Sequence, residues 1–183
     1  AHHVKDLDGK PLKVIHRDVS PQNIMVTPNG STKLLDFGVA RSTSQQQSTR
    51  AGLIKGKLSY LSPEQVRSLK LDARSDLFSL GIVLWELVTR RRLFKGNSEL
   101  EILQKVGHAQ IPEAPFKADC PSAIEPILEQ ALQQSPKRRF ADGAAFADAL
   151  DQVLASIGGT PSTKQCSAWL EALTQAPEAN VPV

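Results

Sequence analysis

The stretch Ile15-His-Arg-Asp-Val-Ser-Pro-Gln-Asn23, followed by Leu34-Leu-Asp-Phe-Gly38, decides the fold of this chain. It contains Asp18, then Asn23, and then Asp36 directly before Phe-Gly. One carboxylate is available as a base, while a carboxamide and a second carboxylate supply hard oxygen ligands. Such ligands suit Mg²⁺, which usually keeps waters and substrate phosphates as its remaining ligands. The stretch therefore predicts a magnesium site beside a separate carboxylate.

The residues between the two metal-ligand candidates predict a β-hairpin. Residues 23–27 form the first short strand, Pro28-Asn29-Gly30 the turn, and residues 31–35 the return strand. Because a hairpin brings the chain back to where it left, we expect Asn23 and Asp36 to lie near each other at its open end.

The pattern His16-Arg17-Asp18-x4-Asn23 with Asp36-Phe37-Gly38 resembles the catalytic loop and metal-binding turn of the eukaryotic-type protein kinases. Later segments agree with this family in order and spacing. Ser62-Pro63-Glu64 resembles the end of the activation segment, the stretch from Ser75-Asp76 to Glu86 resembles the buried helix below the catalytic loop, and Arg139 resembles the arginine that pairs with that Glu. The style is that of bacterial serine/threonine kinases.

The resemblance implies a mainly α fold, the C-terminal lobe of the α+β kinase fold, with a small β-hairpin that carries the catalytic and metal-binding loops. Nothing in the sequence matches the Gly-rich loop, the Val-Ala-Ile-Lys strand or the Glu helix of the N-terminal lobe. We therefore expect residues 1–157 to be the C-lobe of a kinase domain without its N-lobe. Residues 158–183 are expected to be a linker and a short helical tail.

The resemblance also assigns roles to residues. Asp18 becomes the catalytic base, and Asn23 and Asp36 the Mg²⁺ ligands, in a transfer of the ATP γ-phosphate to Ser or Thr hydroxyls of proteins. Structural or regulatory roles fall to His16, Arg17, Phe37, Gly38, Glu64, Asp76 and Arg139. For Arg17 two readings stay open, namely pairing with a phosphate on the activation segment and a plain salt bridge.

Two positions depart from the family pattern. The family usually has Lys two residues after the catalytic Asp, and this chain has Ser20; it usually has Thr after the Gly that precedes the substrate loop, and this chain has Lys57. Our hypothesis is that Lys57 is catalytic and supplies the charge that the Ser20 position lacks. The alternative is a lysine that faces solvent.

The activation segment, residues 41–61, is rich in Ser, Thr and Gln. Ser48 and Thr49 are the candidate phosphosites because Arg50 and Lys55 lie nearby in sequence. An unmodified polar loop is the competing interpretation.

Apolar periodicity predicts further helices. Residues 77–88 are apolar almost all round, which predicts a helix buried on every face. Amphipathic or capped patterns predict helices at residues 97–106, 121–132, 141–157 and 167–173, with a short helix starting at Ser62.

Composition narrows the remaining possibilities. The 183 residues carry a formal net charge of +3, and the Arg90-Arg91-Arg92 run falls at an expected helix end, so we do not expect nucleic-acid binding. Cys120 and Cys166 are isolated, which is typical of a reducing, cytoplasmic setting. No apolar run is long enough to cross a membrane.

We expect a kinase that uses ATP and Mg²⁺, whose partners are protein substrates and the missing N-lobe, and whose C-lobe alone is inactive. A non-catalytic lobe that acts as a scaffold or substrate-binding module is the alternative. Small-molecule phosphotransferases share the Asp…Asn…Asp order but lack the Ser-Pro-Glu segment.

Overall fold

The computed structural model describes residues 8–9, 14–36, 56–113 and 120–175. Two strands, β1 (Ile24–Val26) and β2 (Thr32–Leu34), come first. The helices that follow are α1 (Pro63–Val66), α2 (Arg74–Thr89), α3 (Glu99–Gly107), α4 (Ile124–Ala131), α5 (Gly143–Ser156) and α6 (Thr163–Gln175). Two 3-10 turns, Pro21–Asn23 and Pro136–Arg138, precede β1 and α5. The described part is therefore mainly α with one small sheet, as the sequence predicts.

The two strands form the predicted antiparallel hairpin, in which Ile24 pairs with Leu34 and Val26 with Thr32. The turn closes where the Gly30 N–H donates to the Thr27 carbonyl at 2.8 Å. Gly30 has φ +80°, a left-handed conformation that glycine adopts without a steric cost. The ladder extends past β1 because the Leu35 N–H donates to the Asn23 carbonyl at 2.8 Å.

Helix α2 is the centre of the hydrophobic core. Phe78 and Ile82 on this helix are fully buried. At Gly81 the neighbouring helix approaches closely, since a methyl group there would lie 3.0 Å from Ala131 Cβ on α4. The core residues around α2 come from α3, α4 and α5 and from the segments that connect the helices: Leu93, Phe94, Ile102, Val106, Ile127, Leu128, Phe140 and Phe146.

The prediction that this helix is buried on every face is wrong for one face. Leu80 and Leu87 are 36% and 70% exposed. They lie seven positions apart, so they share a helix face. The sequence pattern shows only that a side chain is apolar. Burial also requires a neighbouring element that covers the side chain, and the pattern does not contain that information.

Helices α1, α3 and α5 begin at residues whose side chains accept hydrogen bonds from the first turn. Ser62 caps α1, Ser98 caps α3 through the Glu101 N–H, and Asp142 caps α5 through the Ala145 N–H at 2.9 Å. Each cap satisfies a backbone donor that would otherwise have no partner within the helix. These caps explain why the elements begin close to the predicted positions.

Helix α6 is longer than the predicted residues 167–173 and folds back onto the hairpin. Ser167 Oγ donates to the Pro28 carbonyl at 2.6 Å. A methyl group on the buried Gly30 would overlap the Thr163 carbonyl oxygen at the start of α6. The tip of the hairpin is therefore covered by the C-terminal helix. Across the described ranges, none of the helices has the length and apolar character needed to cross a bilayer.

Candidate active site

The segment that leads into Asp18 is held from below by α2. Asp76 is buried in the first turn of that helix, and its two carboxylate oxygens accept hydrogen bonds from the backbone N–H groups of His16 and Arg17, both at 2.8 Å. A buried carboxylate needs such donors to offset its lost hydration. Asp76 thereby fixes the position of the backbone at His16 and Arg17 relative to α2.

The His16 ring links the loop to the hairpin. Its Nδ1 accepts from the Asp18 N–H at 3.3 Å, and its Nε2 lies 2.8 Å from the Leu35 carbonyl. A carbonyl only accepts and an amide N–H only donates, so this arrangement requires the tautomer with the proton on Nε2. His16 is 1% exposed, which fits the structural role expected for it and excludes direct contact with a substrate.

Asp18 meets a lysine from the other side of the site. Lys57 Nζ lies 2.9 Å from Asp18 Oδ2, with side-chain exposures of 36% and 17%. The Asp18 carbonyl accepts a 2.7 Å hydrogen bond from Asn23 Nδ2. The Asn23 side chain therefore fixes the backbone of the residue whose carboxylate Lys57 contacts. The Lys57 ammonium thus lies against the Asp18 carboxylate while its side chain stays partly exposed.

The two metal-ligand candidates lie at the open end of the hairpin. Asn23 is buried, and its carbonyl accepts a hydrogen bond from the Leu35 N–H. Asp36 is the next residue after Leu35, so it follows the strand that faces Asn23. Arg17 and Asp36 are non-glycine residues with positive φ, +68° and +56°. Such left-handed backbone is uncommon for non-glycine residues and clusters at functional sites. Both strained positions border the same small region.

Ser20, the first departure from the family pattern, is fully buried, and its Oγ has no hydrogen-bond partner among the described residues. An unsatisfied buried hydroxyl costs stability. The position therefore contributes no charge to the site, and within the described ranges the cation in contact with Asp18 is Lys57.

A second cluster ties the end of the activation segment to α2. Arg139 donates to both oxygens of Glu64, Nη1 to Oε1 at 2.7 Å and Nη2 to Oε2 at 2.8 Å, and Ser75 Oγ also donates to Glu64 at 2.7 Å. Burial acts to raise the pKa of Glu64, but the hydrogen bonds from Arg139 and Ser75 outweigh it and hold that pKa below its usual value. The expected pair is present, and its carboxylate is ionised at neutral pH.

A third cluster was missed by the sequence reasoning. Tyr60 Oη donates to Glu86 Oε2 at 2.6 Å, Arg92 contacts both residues, and the Leu93 N–H donates to Glu86 Oε1 at 3.1 Å. Burial, followed by the hydrogen bond to Glu86, raises the pKa of Tyr60 far above its usual value, so the phenol stays a donor. No spacing rule joins these residues, because the contact is set by how α2 packs beneath the segment that contains Tyr60.

Four of the candidate residues, Phe37, Gly38, Ser48 and Thr49, lie outside the described residues, as does most of the activation segment.

Comparison with known proteins agrees with this arrangement of hairpin, loop and core helix. The protein kinase domain model matches residues 11–153. A tyrosine-protein kinase, MasK of Myxococcus xanthus, is 39% identical over 84% of this chain and 24% of that protein. The serine/threonine-protein kinases PknA and PknL of Mycobacterium tuberculosis are 36% and 37% identical over 78% and 76% of this chain. The chain belongs to the protein kinase family.

The chain covers only part of these relatives. The matched region spans 32% of PknA and 35% of PknL. The activity of a whole protein therefore has to be argued for this chain from its own site.

Proposed function

We propose that this chain is the C-terminal lobe of a bacterial protein serine/threonine kinase, which transfers the γ-phosphate of ATP to protein hydroxyls. The observation that carries the proposal is the 2.9 Å contact between Lys57 Nζ and the Asp18 carboxylate, beside the hairpin end that bears Asn23 and Asp36. A carboxylate, a cation and two oxygen ligands are the groups that phosphoryl transfer requires for positioning and charge neutralisation.

Asp18 acts as the base. As the substrate hydroxyl oxygen forms a bond to the γ-phosphorus, the bond from that phosphorus to the bridging oxygen breaks, and the hydroxyl proton passes to the Asp18 carboxylate. ADP leaves with the electron pair of the broken bond. The backbone contacts from Asn23 and His16 keep Asp18 in place during this step.

Asn23 and Asp36 fit the metal expected here. Asn23 Nδ2 donates a hydrogen bond to the Asp18 carbonyl, so Asn23 Oδ1 is the atom that would bind the metal. Among the described residues no group of three or more His, Cys, Asp or Glu could hold a metal ion. A Mg²⁺ site would not need one, because one or two protein oxygens can hold Mg²⁺ when substrate phosphates and waters supply the other ligands. When bound, Mg²⁺ neutralises charge that develops on the phosphates.

Lys57 takes over the task of the lysine that is usual at the Ser20 position. A cation beside the base stabilises negative charge on the transferred phosphoryl group, and fixed charges of this kind contribute large parts of catalysis. Because Lys57 belongs to the activation segment, its contact with Asp18 also makes the site depend on how that segment is folded.

The lobe works as part of a larger catalytic domain. The exposed Leu80 lines an apolar cleft of about 400 Å³ together with Val19, Ile24 and Leu34. Contiguous exposed apolar surface is one mark of a surface that another segment covers. We propose that the complete kinase supplies this segment and the ATP-binding N-lobe, that it works in the cytoplasm on protein substrates, and that residues 1–157 alone do not turn over.

The test uses the complete protein that contains this sequence, with [γ-³²P]ATP, Mg²⁺ and a mixture of Ser-, Thr- and Tyr-containing peptides. We expect phosphate on Ser and Thr and none after Asp18→Asn. Acid hydrolysis and separation of the phosphoamino acids decide between hydroxyl classes, which matters because one relative is named a tyrosine kinase. Transfer to Tyr alone would overturn the Ser/Thr assignment. Absence of any transfer would favour the scaffold alternative.

A further inference from the structure

One side chain bridges α1 and the catalytic loop. Gln65 Oε1 accepts from the Ser62 N–H at 2.8 Å, while its Nε2 donates to the Arg17 carbonyl at 2.9 Å. The first bond belongs to a capping box, because the Gln65 N–H also bonds to Ser62 Oγ. The second bond crosses to a residue 48 positions away in the sequence. Gln65 is therefore both a cap and a tether.

The tethered residue is the one directly before Asp18, and its backbone is unusual. Arg17 has φ +68°, a conformation that costs energy for any residue with a Cβ atom. It persists only where surrounding contacts hold it. Its N–H donates to Asp76 at 2.8 Å and its carbonyl accepts from Gln65 at 2.9 Å. The peptide groups on both sides of this strained residue are thus fixed by different helices, α2 and α1.

Only a carboxamide of this length serves both bonds. It presents one acceptor and one donor from the same planar group. A glutamate would keep the acceptor for Ser62 and remains a standard capping-box residue. It would lose the donor and place a carboxylate oxygen against the Arg17 carbonyl oxygen. The cap and the tether can therefore be separated by changing one atom.

We propose that Gln65 is a positioning residue for phosphoryl transfer: through the Arg17 carbonyl it holds Asp18 in the geometry that the base requires. This rests on the function proposed above. The same hydrogen bond links α1, which follows the activation segment, directly to the catalytic loop. A displacement of α1 would release one side of Arg17 and let the strained backbone relax, which would move the Asp18 carboxylate.

The chain supplies its own matched control. Helix α6 begins with the same box, in which the Ser162 N–H donates to Gln165 Oε1 at 2.8 Å and the Gln165 N–H to Ser162 Oγ at 3.3 Å. Gln165 is exposed, and among the described residues its hydrogen bonds go to Ser162 and not to the catalytic loop. Gln65→Glu and Gln165→Glu therefore make the same chemical change in the same cap, and only the first removes the tether.

The experiment compares both variants with wild type in the complete kinase. For Gln65→Glu we expect kcat to fall by about tenfold to a hundredfold, since a displacement of about 1 Å in a catalytic group can cost about a hundredfold. We expect KM for ATP to stay within about twofold, since the tether makes no contact that binds ATP equally in the ground state and the transition state. Gln165→Glu should leave both constants unchanged. Thermal unfolding of both variants checks that the cap is retained.

A readout that does not depend on activity completes the test. Hydrogen exchange of the backbone amides at residues 16–18 should speed up in Gln65→Glu and not in Gln165→Glu. Unchanged exchange together with unchanged kcat in Gln65→Glu would overturn the proposal, as would an equal loss of kcat in both variants. If wild type transfers no phosphate, the proposed function fails, and the exchange rates still decide whether Gln65 holds the loop.

Discussion

The Arg139 guanidinium binds both carboxylate oxygens of Glu64 across 75 positions of sequence, at 2.7 and 2.8 Å, and both side chains are almost completely buried. The remaining Arg139 donors are used as well, by the carbonyls of Arg74, Gln133 and Gln134. The guanidinium also lies 4.7 Å from the centre of the Phe78 ring. The pair thus joins the end of the activation segment to the core around α2.

Arg139→Met should destabilise the protein strongly. Removing one partner of a buried pair leaves an uncompensated charge and costs about 3–5 kcal/mol. Arg74→Met is the control because Arg74 pairs with Asp72 at the surface, with side-chain exposures of 30% and 47%, where a pair contributes about 0–1 kcal/mol. Urea unfolding of the complete kinase measures both. Equal losses in the two variants would contradict the anchoring role of Arg139.

The same pair predicts a dependence on acid. The folded state holds the pKa of Glu64 below the ordinary value of 4.5. The stabilisation is therefore fully present above pH 4.5 and is lost as the pH falls through the folded-state pKa. The free energy of unfolding of wild type should decrease more steeply below pH 4.5 than that of Glu64→Gln, which has no proton to bind. Parallel curves for the two proteins would show that Glu64 does not contribute to the acid sensitivity.

The sequence predicts those parts of the site that depend on local rules. The hairpin follows from Pro28-Asn29-Gly30 between two short strands, and the family motif places Asp18, Asn23 and Asp36. These features depend on neighbours within a few residues, which is why a single sequence is enough.

Other features depend on packing that no local pattern contains. The Tyr60–Glu86 bond forms because α2 passes beneath the segment that ends the activation loop. The capping box of Gln65 is visible in the sequence, but its second bond to Arg17 is not. For Leu87 the sequence predicted burial that the structure does not show, since an apolar side chain is predicted to be buried even where no described element covers it.

Lys57→Met should abolish most of the activity of the complete kinase. The change removes the cation next to Asp18, and the loss of one fixed group that stabilises transition-state charge typically costs about a hundredfold or more. Lys57→Arg keeps the charge and should retain more activity than the Met variant. Lys137→Met, at an exposed position in a 3-10 turn, is the control. Initial rates at saturating ATP measure the effect, and a Lys57→Met protein with the turnover of the control would rule out a catalytic lysine.

Gly30→Ala should release the C-terminal helix from the hairpin. Gly30 and Gly9 have nearly the same φ, +80° and +78°, but a methyl group on Gly30 would overlap the Thr163 carbonyl, whereas no atom of the described residues lies within 4 Å of one on Gly9. Both Ala variants pay the backbone strain of about 1–2 kcal/mol. Only Gly30→Ala adds the overlap, which typically costs about 1–3 kcal/mol more.

Limited proteolysis measures the release directly. In Gly30→Ala the linker at residues 157–161, between α5 and α6, should be cut faster than in Gly9→Ala, since a detached helix no longer holds it. Ser167→Ala, which removes the 2.6 Å bond to the Pro28 carbonyl, should give a smaller increase. Equal cleavage rates in the two glycine variants would mean that α6 does not rest on the hairpin in solution. A selective increase would make the C-terminal helix part of the support of the strands that carry Asn23 and Asp36.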